Sequence, residues 1–235
     1  MKILAVDTSA ITASCAVTEE GKLIAAAELR SKMTHSQTIL PMVQDMLKNA
    51  ALALHDIDLL AVNVGPGSFT GVRIGVSAVK GIAFTGDIPC APVSTLHSMA
   101  YNFVGLPQVQ TVCAVMDARC GQVYTALFQV DGQTVTRLTD DTAISVTDLQ
   151  QQLCALQKPV MLVGDGAQMC YTLMCETVPA LYLAPDHLRY QTAVGVAAAA
   201  QSVAHCSADA LQPVYLRLPQ AERELKARQA ADKTI

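Results

Sequence analysis

Two aspartates that end apolar runs are the first candidates for chemistry. Asp7 closes Ile3-Leu4-Ala5-Val6, and Asp117 closes the run 111–116. In phosphotransferases built from a duplicated fold, such an Asp holds a metal while the turn after it cradles phosphate. Close backbone approach to phosphate needs glycine in that turn. Asp7-Thr8-Ser9-Ala10-Ile11-Thr12 has none, and the second turn has only Gly121. These turns therefore do not predict independent ATP hydrolysis, and turn or capping work by Asp and Ser is the plainer reading. Gly164-Asp165-Gly166 follows another apolar run. Its glycines could admit an adenosine moiety or could make an ordinary tight turn, and both readings stay open. Asp7, Thr8, Ser9, Asp117, Gly164, Asp165 and Gly166 form a candidate vestigial nucleotide cleft.

His35 opens a helical pattern. A second histidine four residues on would place two imidazoles on one face, ready for a metal. Position 39 is Ile, so no metal site is expected and His35 reads as a cap or surface group. No nucleophile-elbow GxSxG occurs. The eight cysteines form no CxxC pair, and most lie in apolar runs. They read as buried thiols in a reducing compartment.

The segment Gly65-Pro66-Gly67-Ser68-Phe69-Thr70-Gly71-Val72-Arg73-Ile74-Gly75 is the richest motif. A glycine-rich loop that opens a helix can bind anions through free amides. The phosphate-loop pattern GxxxxGK[ST] is absent, however. Ser68 is a plausible N-cap. Ser68, Gly71, Gly75 and Ala78 share one small-residue helix face. Each in-helix glycine costs roughly 1 kcal/mol relative to Ala, which implies a close neighbour. That neighbour is expected to be a partner helix, with packing inside the same chain as the alternative.

The elements that must position these residues repeat. Strands are expected over 3–6, 13–17 and 23–29. They are followed by an amphipathic helix over 35–53, with Ile39, Val43, Met46, Leu47 and Ala50 at helical spacing. A strand over 59–64, a helix over 68–84, a strand over 90–93 and a helix over 94–103 complete a first set. After Gly105-Leu106-Pro107 the plan returns. Strands are expected over 111–116, 122–130 and 134–138, then a helix over 146–156, a strand over 160–163, a helix over 168–177, a strand over 181–183 and a helix over 192–204. The chain thus reads as α/β with two lobes, 1–105 and 106–235, and a cleft between them. The last residues would pack back on the first lobe.

Composition narrows the function classes. Hydrophobic residues make up 51% and charged residues 15%, enough for a large core. No apolar run reaches the roughly 20 residues of a membrane span. The opening Met1-Lys2-Ile3-Leu4-Ala5-Val6 meets Asp7 too soon for a signal peptide. A cytoplasmic location without membrane contact is expected. The net charge of −4 and the lack of a Lys/Arg cluster predict little direct contact with nucleic acid. The stretch 217–233 is the most charged and mixes both signs.

Ile3-Leu4-Ala5-Val6-Asp7-Thr8-Ser9, His35-Ser36-Gln37-Thr38-Ile39-Leu40-Pro41 and the 65–75 segment together resemble the bacterial TsaB (YeaZ) family. Gly164-Asp165-Gly166 and Pro213-Val214-Tyr215-Leu216-Arg217 fit the same pattern. The resemblance implies the duplicated two-lobe, ribonuclease H-like fold of the actin-like ATPases (ASKHA). It implies a role in making threonylcarbamoyladenosine next to the anticodon of tRNAs that read codons starting with A. The paralogue TsaD would carry the catalysis, with a metal held partly by a His-x-x-x-His motif, and the ATPase TsaE would join the assembly. This chain would be a non-catalytic subunit that scaffolds and activates TsaD and also forms homodimers. It would have no cofactor of its own, with room for a nucleotide at the partner interface. The shared surface is expected to include His35, Ile39, Val43, Met46, Leu47, Phe69, Thr70, Gly71, Arg73, Ile74, Gly75, Ser77 and Ala78. The rival expectations are an independent ATPase or kinase, a metallopeptidase-like hydrolase, and a homodimer with an unrelated partner.

Overall fold

The computed structural model describes residues 1–31 and 33–217. The charged stretch named above lies outside the described residues except for Arg217.

The first sheet begins with β1 (Lys2–Asp7), β2 (Ala13–Glu19) and β3 (Lys22–Leu29), which pair antiparallel. After α1 (His35–Asn49), β4 (Leu59–Gly65) returns parallel to β1. After α2 (Phe69–Phe84), β5 (Cys90–Ser94) adds parallel to β4. The strand order is β3-β2-β1-β4-β5. The chain passes through α3 (Thr95–Ala100) and repeats the plan with β6 (Thr111–Asp117), β7 (Gln122–Asp131), β8 (Thr134–Arg137), β9 (Thr142–Ser145), α4 (Val146–Leu156), β10 (Val160–Val163), α5 (Ala167–Met174) and β11 (Leu181–Leu183). The second sheet runs β8-β7-β6-β10-β11, and β9 pairs with the start of β7. Two sheets with the same order and the same parallel and antiparallel pairings show the duplicated actin-like ATPase fold.

Period-2 alternation explains why the opening strands are continuously apolar. In β1, Leu4 and Val6 face a core beneath α1 and α2, while Ile3 and Ala5 face the opposite side. In β6, Cys113 and Val115 face α4 and α5, while Val112, Ala114 and Met116 face the other way. The helices on those inner faces are exchanged. Leu96 and Met99 of α3 pack on the second sheet. After the short α6 (Asp186–Arg189), Ala193, Val196 and Ala197 of α7 (Ala193–Ala200) pack on the first. A division at 105 and 106 therefore separates the two sheets but not the two cores. Leu211 is buried in the first core, and the Val214 amide donates to the Val64 carbonyl at 2.7 Å.

The expected helix over 35–53 ends at Asn49. Ala51 turns left-handed at φ 53°, and the Leu52 amide closes back on the Leu47 carbonyl at 3.0 Å, a Schellman-type stop. Strand β9 and helix α6, four residues each, are additions to the expected elements; neither has the unbroken apolar run that marks β10. Among the described residues no helix is long and apolar enough to cross a membrane.

Candidate interaction face and interlobe cleft

Ser68 caps α2, its Oγ accepting from the Gly71 amide at 3.2 Å. The helix then runs with Gly71 and Gly75 turned inward. A Cβ on Gly71 would stand 2.2 Å from the Thr8 carbonyl oxygen. One on Gly75 would stand 2.6 Å from Thr8 Oγ1 and 3.3 Å from Val62 Cγ2. Thr8 Oγ1 also donates to the Gly71 carbonyl at 2.7 Å. The close neighbour that the glycines imply is therefore the turn after β1 of the same chain. This overturns the expectation that the Gly71–Gly75 stripe meets a partner helix. Both are buried, and neither can contribute an interface side chain.

Four α1 positions are corrected in the same way. Ile39, Val43, Met46 and Leu47 are buried in the first core. The helical spacing that singled them out reports the face turned toward the sheet. Only Ile39 also reaches the surface feature described next. His35 is half-buried and does not line that feature, its Nε2 lying 2.6 Å from the Ala10 carbonyl. It ties the start of α1 to the β1–β2 turn.

An apolar groove of about 500 Å³ lies between α1 and α2. Ser36, Ile39 and Leu40 form one side; Phe69, Thr70, Arg73, Ile74, Ser77 and Ala78 form the other. Of the expected interface residues, the structure brings together these last six with Ile39. Leu40, exposed at 48%, was missed because it lies off the buried stripe of α1. A large aliphatic side chain directly after the Ile39 core position was its signal. Tyr215 was missed as well. Its ring stacks on Phe69 at 4.6 Å, its hydroxyl accepts from Arg73 Nε at 2.8 Å, and the guanidinium lies 4.0 Å from the Phe69 ring centroid. The groove thus ends in a braced cation over aromatic rings.

Below this corner a cleft of about 590 Å³ separates the lobes. Residues 9–11 and 66–70 line it from the first lobe; 116–119, Tyr124 and Asp165 line it from the second; and 214–217 form one wall. Asp117 accepts from the Arg119 amide at 2.7 Å and meets its guanidinium at 3.2 Å. Asp165 accepts from the Asp117 amide at 3.2 Å. Burial above all, with help from the Asp117 charge, holds the Asp165 carboxyl above the usual range. Arg217 reaches across to donate to the Ala118 carbonyl.

Of the other cleft candidates only Ser9 lines it; Asp7, Thr8, Gly164 and Gly166 do not. Asp7 is fully buried, as is Thr8. Asp7 Oδ1 accepts from Asn63 Nδ2 at 2.9 Å and from the Ser9 amide at 3.1 Å. Burial raises its carboxyl above the ordinary range, against the opposing hydrogen bonds from Ser9 and Asn63. Among the described residues, Asp7 Oδ2, Ser9 Oγ and Asn63 Oδ1 have no hydrogen-bond partner. Gly164, at φ 109°, would drive a Cβ to 2.0 Å from the Val115 carbonyl oxygen, and Gly166 packs on the Asp117 amide. The Gly-Asp-Gly loop is therefore a tight turn seated on β6. Gly65, at φ 123°, holds the matching place after β4.

The protein family described as TsaD, tRNA N6-adenosine threonylcarbamoyltransferase, matches residues 28–227. The tRNA threonylcarbamoyladenosine biosynthesis protein TsaB of Bacillus subtilis is 36% identical over 172 residues, covering 72% of this chain and 73% of that protein. The protein of the same name from Escherichia coli is 38% identical over 169 residues, with the same coverage. The structure of YeaZ from Pseudomonas aeruginosa superposes with a TM-score of 0.79 at 28% identity, covering 92% of this chain and 99% of that one.

Proposed function

This chain belongs to the TsaB family of tRNA threonylcarbamoyladenosine biosynthesis proteins, and on that premise we propose that it is a non-catalytic accessory subunit. In this reading it docks on the transferase subunit TsaD and activates it for transfer of the threonylcarbamoyl group to the adenosine next to the anticodon of tRNAs reading codons that start with A. TsaE joins the assembly, and a second copy of this chain competes for the same face. The setting is cytoplasmic. The tRNA is held mainly by the partner, and any nucleotide lies at the subunit interface.

The observation that carries the reading is the groove between α1 and α2. It offers exposed Leu40, the half-buried Ile74 and Ala78, and the braced Arg73 on two neighbouring helices. An apolar centre with a charged rim is the anatomy of an interface rather than of a reaction site. Two features support the lack of catalysis. Ile39 stands one helical turn from His35, and that imidazole is already committed to the Ala10 carbonyl. Asp7, the residue that would hold a metal, is walled off from the cleft.

The test uses Leu40→Asp with Ile74→Asp. Leu40 is exposed and Ile74 is half-buried against the first core, so circular dichroism and a melting scan must first show that the fold survives. Co-purification with TsaD is expected to fall at least about tenfold, on the scale of a lost hot-spot pair. Association at the wild-type level would overturn the docking face. The purified chain with ATP and magnesium is expected to show no turnover. Robust turnover abolished by Asp165→Ala would overturn the non-catalytic role.

A further inference from the structure

Cys90 opens β5, the edge strand of the first sheet. The chain returns past that edge at Cys206. The Cys90 amide donates to the Cys206 carbonyl at 2.8 Å, and the Cys206 amide donates to the Cys90 carbonyl at 2.8 Å. They form an antiparallel bridge outside the named strands. Residues directly opposed in this way send their side chains to the same face. Both indeed meet one core, with Cys90 buried in it and Cys206 packed against it half-buried. A reciprocally bonded pair has its Cα atoms about 5.5 Å apart, inside the window where disulfides are most often found.

The surroundings disfavour the thiolates that exchange requires, so exchange calls for an alkaline medium. Among the described residues the Cys90 thiol makes one weak hydrogen bond, to the Ile88 carbonyl at 3.8 Å. Burial raises both thiols, Cys90 to about 11, while the nearby Lys80 ammonium favours the thiolate at each sulfur. Cys206 is partly open to a reagent. Cys113 and Cys170, which also approach each other, are both sealed in the second core.

We propose that Cys90 and Cys206 are a reversible disulfide site that fastens the segment 206–217 to the edge of the first sheet. The oxidant is a low-molecular-weight disulfide. The Cys206 thiolate attacks one of its sulfurs, and the first thiolate leaves. The Cys90 thiolate then attacks the Cys206 sulfur of the mixed disulfide, and the second thiolate leaves. The two protons lost by the cysteines go to the leaving groups, so two protein thiols are oxidised and one disulfide is reduced to two thiols. The tethered segment carries Leu211, Val214 and Tyr215, so the bond sets how firmly the Tyr215 brace is held.

The test uses the full chain carrying Cys120→Ser and Cys175→Ser, which removes the two exposed thiols and leaves six of the eight. It is incubated with oxidised glutathione at pH 8.5. The thiol count under denaturing conditions is expected to fall from six to four, with a linked Cys90–Cys206 peptide by mass spectrometry. The melting temperature is expected to rise by about 5–10 °C, because the bond closes a loop of more than 100 residues, and dithiothreitol should reverse the rise. Adding Cys206→Ser should abolish both effects. A count that stays at six, a lasting glutathione adduct without the link, or a bond between other cysteines would overturn the proposal.

Discussion

The Tyr215 hydroxyl accepts a hydrogen bond from Arg73 Nε at 2.8 Å, although 142 positions separate the two residues. This bond, with the Phe69 ring stacked on the phenol and lying under the guanidinium, fixes the corner where the groove meets the interlobe cleft.

Removing that brace should loosen the corner without opening the core. Tyr215→Ala is expected to cost about 1–2 kcal/mol, from one stacked pair and one hydrogen bond. Denaturant unfolding would measure it. TsaD association should weaken as Arg73 loses its fixed rotamer. Tyr215→Phe should keep the stack and most of the stability, which separates packing from hydrogen bonding.

Gly75 is expected to be intolerant of any larger side chain. A Leu there would collide with Thr8 and Val62 inside the lobe. Overpacking of 1–3 kcal/mol is usual, and a branched side chain against backbone-tethered Thr8 should reach about 3 kcal/mol or more. The variant should express poorly or melt well below wild type in a thermal scan. A stable Gly75→Leu protein that merely fails to bind TsaD would contradict the inward orientation.

Asp7 predicts a stabilising variant. Asp7→Asn keeps an acceptor for Asn63 Nδ2 and the Ser9 amide and replaces the unpartnered carboxylate oxygen. The folded-state pKa of Asp7 is raised, so the folded protein holds this proton more tightly than the unfolded chain. Its favourable contribution is complete below the unfolded pKa and is lost as pH rises through the folded value. Asp7→Asn should therefore match wild type at acid pH and exceed it at pH 7, by about 1–3 kcal/mol for a relieved buried acceptor. Unfolding at both pH values is the measurement.

His97 works in the opposite direction. It stacks on Phe128 at 5.4 Å. Burial, with Arg137 adding to it, lowers its pKa from 6.5 to about 4. The unfolded chain therefore takes up the proton first. Stability tied to neutral His97 is complete above 6.5 and is lost as pH falls through about 4, up to about 3 kcal/mol. His97→Gln should flatten the stability profile over this window, read by urea unfolding at several pH values.

Much of the architecture was legible. The apolar runs ending at Asp7 and Asp117 mark β1 and β6 because strands buried on both faces need no polar alternation. The recurrence of the same pattern marks the duplication. Ser68 is legible as a cap because its hydroxyl acts within one helical turn. Ile39 in place of a second histidine is legible for the same reason of local spacing. The small elements β9 and α6 were not: β9 rests on its pairing with β7, and α6 is a single turn with no apolar period of its own.

The sequence by itself determined the layer order of the lobes, the cap and start of α2, and the single imidazole of α1, all of which depend on residues within a few positions of one another. Tertiary structure decided which way each helix faces. Helical spacing groups Ile39, Val43, Met46 and Leu47, but only packing tells that the group faces the sheet. Glycines 71 and 75 announce a close neighbour, but only the returning β1 turn identifies it as Thr8. The arrival of Tyr215 at Arg73 and of Cys206 at Cys90 joins distant parts of the chain. No local pattern encodes such contacts, because they form only when burial of both cores brings the last described residues back over the first sheet.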